Sequence, residues 1–348
     1  MKQRLFSYID TAGFFPVIIL FLVPFNALIA QAGDESSLRI MFYNAENFFD
    51  VSDDTVKDDD EFLPQGVMRW NNTRFSRKLS SVSKTIIAAG GWEPPEIVSF
   101  CEIENRFVLE RLIYSASLAK YNYRIIHEDS PDPRGIDVCL IYRADKIKIL
   151  DYNYWIPEVG NNEIFRSRTV LFAKVLAGGD TLHLIINHWP SRRGGVLSAE
   201  DLRRRISQMV SMKIDSINSA LKGKAKILLM GDFNCTPDDR LIKELTDLTL
   251  SGQSCVNLSD SFTSGGYGTY RYQGRWEVID QIIVSPSLLN AERGLTSLQG
   301  SAKIFMEDFL LMPDPAFPGL TPFATYRGFR YQGGFSDHLP VVIDLVVR

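Results

Sequence analysis

The chain has 348 residues, 45% of them hydrophobic and 23% charged, which suits one large globular domain or two ordinary ones. A formal net charge of −4 disfavours a globally basic nucleic-acid binder, while leaving room for a local basic rim that steers a polyanion. Lys2 and Arg4 precede an apolar run from Phe14 to Ala30, and Ala30-Gln31-Ala32 puts small residues where a signal peptidase cuts. Residues 1–32 therefore read as an export signal cleaved after Ala32, giving a periplasmic or secreted protein. The run is long for that purpose, so an uncleaved membrane anchor is the alternative. No later stretch is long and apolar enough to span a bilayer, so no membrane insertion is expected after cleavage. Export makes Cys101, Cys139, Cys235 and Cys255 candidates for disulfides. Their spacing forms no metal motif and three fall in or beside expected strands, so free thiols are expected.

Leu38 to Tyr43 alternates like a half-buried strand and runs into Asn44-Ala45-Glu46, two polar groups on one side of a strand tip. Asp53 to Glu61 is acidic but lacks the alternating ligands and glycine of a calcium loop, and reads as a solvated loop. Leu79, Val82 and Ile86 recur at helical spacing between Phe75 and Ala89, ahead of Gly90-Gly91. Glu96 to Glu102 is a strand ending on a carboxylate, and Asn105 caps a helix from Arg106 to about Ala119. Three strands over 123–126, 136–142 and 146–152 read as a meander, with the turn Pro131-Asp132-Pro133-Arg134-Gly135 after the first. Thr169 to Val175 and Leu182 to Asn187 pair about Gly178-Gly179-Asp180, and the second delivers His188 at its tip, near Arg192 and Arg193. His127 and His183 lie within strands and read as hydrogen-bonded structural residues.

Ser198-Ala199-Glu200-Asp201 opens a long helix whose apolar stripe runs from Leu202 to Leu221, with Arg203, Arg204 and Arg205 on its solvated first turns. Ile227 to Met230 is a short apolar run of the kind buried on both faces. It stops on Gly231 and presents Asp232 and Asn234 two positions apart; alone, that stretch reads equally as a turn satisfying its own backbone. A helix follows over 238–248. Ser251 to Gly274 reads as loop or flexible ribbon, with its tyrosines, Arg271 and Arg275 available to a base or sugar. Trp276 to Val284 is a strand with Asp280 embedded among apolar residues, where a lone carboxylate requires a partner. Asp337-His338 precedes a last strand, Val341 to Val347. Without repeats or linkers, residues 33–348 form a single domain and a monomer is expected.

Polar groups thus collect at strand tips, and acids dominate among them. Converging carboxylates repel unless a cation sits between them, and an all-oxygen donor set suits Mg²⁺ or Mn²⁺. In order, Asn44-x-Glu46, Glu102 after a strand, His188 after a strand, Gly231-Asp232-x-Asn234, Asp280 in a strand and Ser336-Asp337-His338-x-Pro340 resemble the endonuclease/exonuclease/phosphatase superfamily. The resemblance runs from Leu38 to Arg348, and each motif is weak alone. It implies an α/β four-layer sandwich of two mixed β-sheets flanked by helices.

By position, the resemblance implies Glu46, Glu102 and Asp337 as the metal region, with Asn44, Arg168 and Asn234 binding substrate. It implies that Asp232 activates water held by Asn234, that His338, paired with Asp280, donates to the phosphate, and that His188 assists the leaving oxygen with Glu128 orienting it. The motif carries Glu46 where some branches have aspartate. The implied activity is Mg²⁺-dependent phosphodiester hydrolysis by in-line water attack, foremost on DNA or RNA. A phosphatase or phospholipase C-like enzyme acting on inositol phosphates or sphingomyelin is the alternative, and a non-catalytic binding protein on the same fold is the third reading.

Overall fold

A computed structural model describes residues 37–158, 165–191, 196–247, 254–289 and 291–348. The export segment 1–32, Arg192 and Arg193, and residues 251–253 of the expected ribbon lie outside the described residues. The first half contains β1 (Ser37–Phe48), α1 (Asn72–Gly90), β2 (Ile97–Ile103), α2 (Arg106–Ile113), β3 (Tyr123–Ile126), β4 (Asp137–Arg143) and β5 (Ile147–Trp155). The second half begins with β6 (Val170–Ala177), β7 (Asp180–His188), α3 (Val196–Ala220), β8 (Ile227–Asp232), α4 (Arg240–Asp247) and β9 (Val256–Asn257). It continues through β10 (Tyr270–Tyr272), β11 (Arg275–Glu277), β12 (Asp280–Val284) and β13 (Leu295–Ile304). The short β14 (Leu311–Pro313), β15 (Leu320–Pro322), β16 (Tyr326–Arg327) and β17 (Arg330–Tyr331) precede β18 (Val341–Val347).

Two six-stranded mixed sheets result, with orders β13-β18-β1-β2-β4-β3 and β5-β6-β7-β8-β12-β9. Period-two alternation assigns each face. In β1, Ile40 and Phe42 point to the core between the sheets, where they meet Leu184, Ile186, Leu228 and Met230. Met41 and Tyr43 point the other way, against Val82 and Ile86 of α1 and Leu109 and Leu112 of α2. On the far side of the second sheet, Ile185, Ile227 and Leu229 pack on Ile206, Val210 and Ile214 of α3. This is the expected helix–sheet–sheet–helix sandwich, and Glu35–Arg348 make one unit. None of the four cysteines forms a disulfide.

Several local expectations are corrected. Strand β5 does not continue a meander. It leaves β4 and pairs with β6 in the other sheet, because Ile147 joins the inter-sheet core. Helix α2 stops at Ile113 rather than near Ala119, which lets Leu118 fold back into the apolar layer over the first sheet. The described part of the 251–274 stretch is not a floppy ribbon: Asn257 donates to Gln281 (2.7 Å), and the buried Ser259 hydroxyl accepts from the Ile282 amide (2.8 Å). Arg271 is not available to a base, since its guanidinium donates to Asp314, Leu320 O, Gly274 O and Pro318 O. Nor is the acidic 53–61 loop merely solvated. Lys57 Nζ donates to Ser130 O (2.7 Å) and Asp132 O (3.1 Å), and the Asp58 amide donates to Pro133 O (2.7 Å).

Strands β7 and β8 run parallel, with Asn187 opposite Gly231 and His188 opposite Asp232. A β-carbon on Gly231 would lie 2.2 Å from Asn187 O, so only glycine lets the two strand tips come together. Gly231→Ala is expected to lower stability by about 3 kcal/mol through this backbone clash. A urea midpoint equal to wild type would contradict the close approach.

Candidate active site

The tips of five segments meet at one end of the two sheets. Asp232 ends β8 with His188 of β7 as its register partner on one side and Asp280 of β12 on the other. From the opposite sheet, Asn44 Nδ2 donates to Asp232 Oδ2 (3.1 Å) and reaches Glu102 Oε1 (3.4 Å), linking the two sheets. The Asn47 amide donates to Glu102 Oε2 (2.8 Å). Asn234 donates its backbone N–H to Asp232 Oδ1 and its Nδ2 to Trp189 O, both at 2.9 Å. Glu46, Asn47, Glu102 and Asn234 all hold φ between 48° and 60°, a left-handed conformation that non-glycine residues adopt at a cost of about 1–2 kcal/mol. Glu46 and Asn47 lie near the end of β1, Glu102 near the end of β2 and Asn234 just after β8, so the chain turns sharply where each strand reaches the site.

His338 Nδ1 donates to Asp280 Oδ2 (2.8 Å), which answers the burial of Asp280, and its Nε2 stands 3.9 Å from Asp232 Oδ2. Ser336 Oγ accepts the His338 amide and donates to Asn44 O, fastening the loop before β18 to β1. His188 Nε2 lies 3.7 Å from Glu102 Oε1 and 3.9 Å from Asp232 Oδ2. A cleft of about 730 Å³ opens over these groups, with Glu102, His188, Asp232, Asn234, Asp337 and His338 in its lining.

The electrostatics set the two histidines apart. Burial, then the charges of Arg168, Arg134 and His338, hold His188 well below the ordinary imidazole range, so it is neutral. Burial also opposes charge on His338, but the charge and hydrogen bond of Asp280, followed by Asp232 and Asp337, outweigh it and hold the imidazolium well above that range. Asp232 is pushed up to about 7, chiefly by burial and further by Asp280 and Glu102, against the pull of His338. Such a site contains a charged donor, a neutral imidazole and a poised carboxylate.

Two expectations about individual residues change. Glu46 does not face the cleft: its carboxylate accepts the Thr325 (2.6 Å) and Tyr326 (2.9 Å) amides, with Lys78 Nζ at 3.9 Å. Its left-handed backbone swings the side chain into the loop, so it fastens that loop instead of completing the carboxylate set. Glu128 does not orient His188, whose Nδ1 is buried without a partner; the acid that pairs a histidine nearby is Asp137, with His127 at 2.8 Å. Arg168 does line the cleft, buried, with Nε 3.4 Å from Asp132. Tyr270, one of the tyrosines the sequence offered to a base or sugar, packs its ring on His338 at 4.8 Å; sequence reasoning passed over Thr269, whose hydroxyl accepts the Ile279 and Asp280 amides. It also treated Arg134 as turn punctuation. None of these carries a motif; only the fold brings them to the strand tips.

The residues fit an oxygen-preferring divalent cation. Asp280 Oδ1 is buried without a partner, the carboxylates of Asp232 and Asp280 offer oxygens within 4.8 Å of one another, and Asp232 resists ionisation without compensation. Glu102 and Asp337 present further carboxylates to the cleft.

The sequence matches the endonuclease/exonuclease/phosphatase family over residues 39–347. The chain belongs to this family. It is a phosphoester hydrolase of a generally divalent-metal-dependent group. No curated relative matches the sequence. Among solved structures, an endonuclease/exonuclease/phosphatase from Bacteroides vulgatus has a TM-score of 0.56 at 18% identity, over 90% of this chain and 100% of its own. A D. rerio TDP2 complexed with a single-strand DNA product has a TM-score of 0.53 at 16% identity, over 89% and 99%. The Bacteroides thetaiotaomicron mannosyl-6-phosphatase Bt3783 has a TM-score of 0.54 at 16% identity, over 89% and 99%. These likenesses concern the fold.

Two predictions follow from the charge pattern. Burial first, then neighbouring acids, raise Glu46 and Asp232 from ordinary values of 4.5 and 3.8 to about 7. At these two groups the cation-free native state therefore binds more protons than the unfolded one. Its stabilisation is complete below the ordinary values and is lost as pH rises through about 7. A divalent cation favours the ionised form, so its melting-temperature increment over EDTA should be larger near pH ~8 than near pH ~5. Equal increments would contradict a cation site beside Asp232. Separately, Glu102→Gln should weaken cation affinity by about tenfold or more, while Glu46→Gln should mainly lower the melting temperature. Calorimetric titration with the cation distinguishes them, and a larger affinity loss in Glu46→Gln would restore Glu46 as a ligand.

Proposed function

We propose that this protein is an exported, Mg²⁺-dependent nuclease that cleaves a phosphodiester by in-line attack of water. The observation carrying this reading is the pairing, in one open cleft, of the carboxylate and histidine tips with Arg134, Arg166 and Arg168 and the rings of Tyr270 and Tyr272. Acids that hold a cation, guanidiniums that hold phosphate oxygens and aromatic faces that accept a sugar or base are what a sugar-phosphate chain needs. The volume accommodates a nucleotide.

In this mechanism Asp232, beside Asn234, orients and deprotonates the attacking water. Imidazolium His338, held by Asp280, donates a hydrogen bond to the phosphoryl oxygen as charge accumulates there. Neutral His188 stands on the other flank, able to serve the leaving oxygen. Glu102 and Asp337 would hold the Mg²⁺, which when bound polarises the phosphate and offsets its charge. No side chain forms a covalent bond to phosphorus. The leader 1–32 supports export, and the mature chain acts as a monomer. A phosphomonoesterase is the second reading, favoured by the fold shared with a mannosyl-6-phosphatase and by the same arginines, which suit a dianion.

Mature protein assayed with Mg²⁺, with EDTA controls, on plasmid DNA, RNA, abasic duplex, bis-p-nitrophenyl phosphate, sphingomyelin and inositol phosphates separates these readings. Turnover of nucleic acid that EDTA abolishes is expected; turnover confined to a lipid or monoester would reject the nuclease. Asp232→Ala and His338→Ala should each lose about a hundredfold or more in kcat with folding intact. Wild-type-like turnover in either would sink the mechanism.

A further inference from the structure

The loop between β3 and β4 is more heavily braced than a surface turn requires. Asp137 Oδ1 accepts the Ser130 amide while Oδ2 takes His127 Nε2, each at 2.8 Å. Lys57 ties down the carbonyls of Ser130 and Asp132, and Asp58 that of Pro133. Inside the loop, the Arg134 amide donates to Asp132 Oδ1 (2.9 Å) and the Gly135 amide to Asp132 O (3.1 Å). Gly135 turns at φ +70°, where a β-carbon would press on Lys57 Cγ at 3.2 Å. The product of this bracing is a fixed backbone at Arg134, whose side chain is 46% exposed and lines the cleft.

Asp132 stands between two guanidiniums, with Oδ1 3.7 Å from Arg134 Nε and Oδ2 3.4 Å from Arg168 Nε. Arg168 is buried and its Nε has no hydrogen-bond partner. Arg166 also lines the cleft and is exposed. Among the described residues Asp132 thus lies within ion-pair distance of both Arg134 and Arg168, while Glu102, Asp232, Glu277 and Asp337 bring the carboxylates of the cleft lining. Arg168 is the inner cation, within electrostatic reach of Glu102 and Asp232, and suits the scissile phosphate. Arg134 stands farther out on its braced loop and takes no part in the chemical step. A phosphodiester brings one negative charge, which the buried Arg168 matches, so the half-exposed Arg134 guanidinium suits a further anion.

We propose that Arg134, supported by Arg166, holds a second phosphate of the substrate, adjacent to the scissile one along the chain, and thereby selects substrates with neighbouring phosphates over isolated diesters. The inference rests on the phosphodiesterase reading above and adds to it a site for substrate selection. Because the brace is made before substrate arrives, little loop ordering opposes binding.

The test uses thymidine esterified with p-nitrophenyl phosphate through either sugar hydroxyl, each ester prepared without and with a phosphate on the other hydroxyl. The mature enzyme with Mg²⁺ should prefer the doubly phosphorylated member of at least one pair by about tenfold in kcat/KM. Arg134→Ala should bring that ratio close to unity, and Arg134→Lys should retain part of it. The bracing contacts of residue 134 are made by its backbone, so matched melting temperatures are expected and would confirm that the loop survives. Equal rates within both pairs for wild type, or an undiminished preference in Arg134→Ala, would overturn the assignment of Arg134. Absence of turnover on every ester and on DNA and RNA would instead defeat the nuclease reading beneath it.

Discussion

A carboxylate deprived of water has to be answered by groups from other elements, and Asp232 is answered from both sheets. Asn44 reaches it from the first sheet, the Asn234 amide caps it from its own turn, and the His338 imidazolium stands beyond. His338 is in turn charged because Asp280, the register partner of Asp232, lies behind it. Each group is expensive to bury alone and becomes stable only when the others are in place. The meeting of strands β1, β2, β7, β8 and β12 is therefore held by the same contacts that form the site.

Preorganisation is built into the backbone as well. Left-handed residues sit near the ends of β1 and β2 and just after β8, and Gly231 permits β7 and β8 to bring His188 and Asp232 level. The loop that delivers Asp337 and His338 is anchored at its start by Glu46 accepting two amides, and within it by Lys78 donating to Thr325 and Phe335 O. A reacting phosphate then meets donors and acceptors already oriented, which is how an active site stabilises developing charge without reorganising.

Much of this was legible in the residues. Alternation in Leu38 to Tyr43 marked a strand with polar groups at its tip, and the apolar run before Gly231 identified a buried strand. Asp280 announced its need for a partner by its apolar neighbours, and His338 supplied it. Where the reading failed, the missing information was long-range. Nothing local distinguishes a β5 that follows β4 from one that crosses to the other sheet, since both bury the same side chains. Arg271 looked free because three of its four acceptors lie 43 to 49 positions away, and Glu46 looked like a ligand because its rotation depends on one left-handed residue.

Sequence alone established most strands of the two sheets, the residue types at their tips and the family they compose, because periodicity and residue type are local properties that survive without coordinates; β13 was not among them. Tertiary structure decided which of those tips share a cleft, which acid serves a loop instead, and that Asp132, Arg134 and Arg168 stand together. Charge balance in a buried site is a sum over elements far apart in the chain. That sum acquires a value only when packing sets the distances.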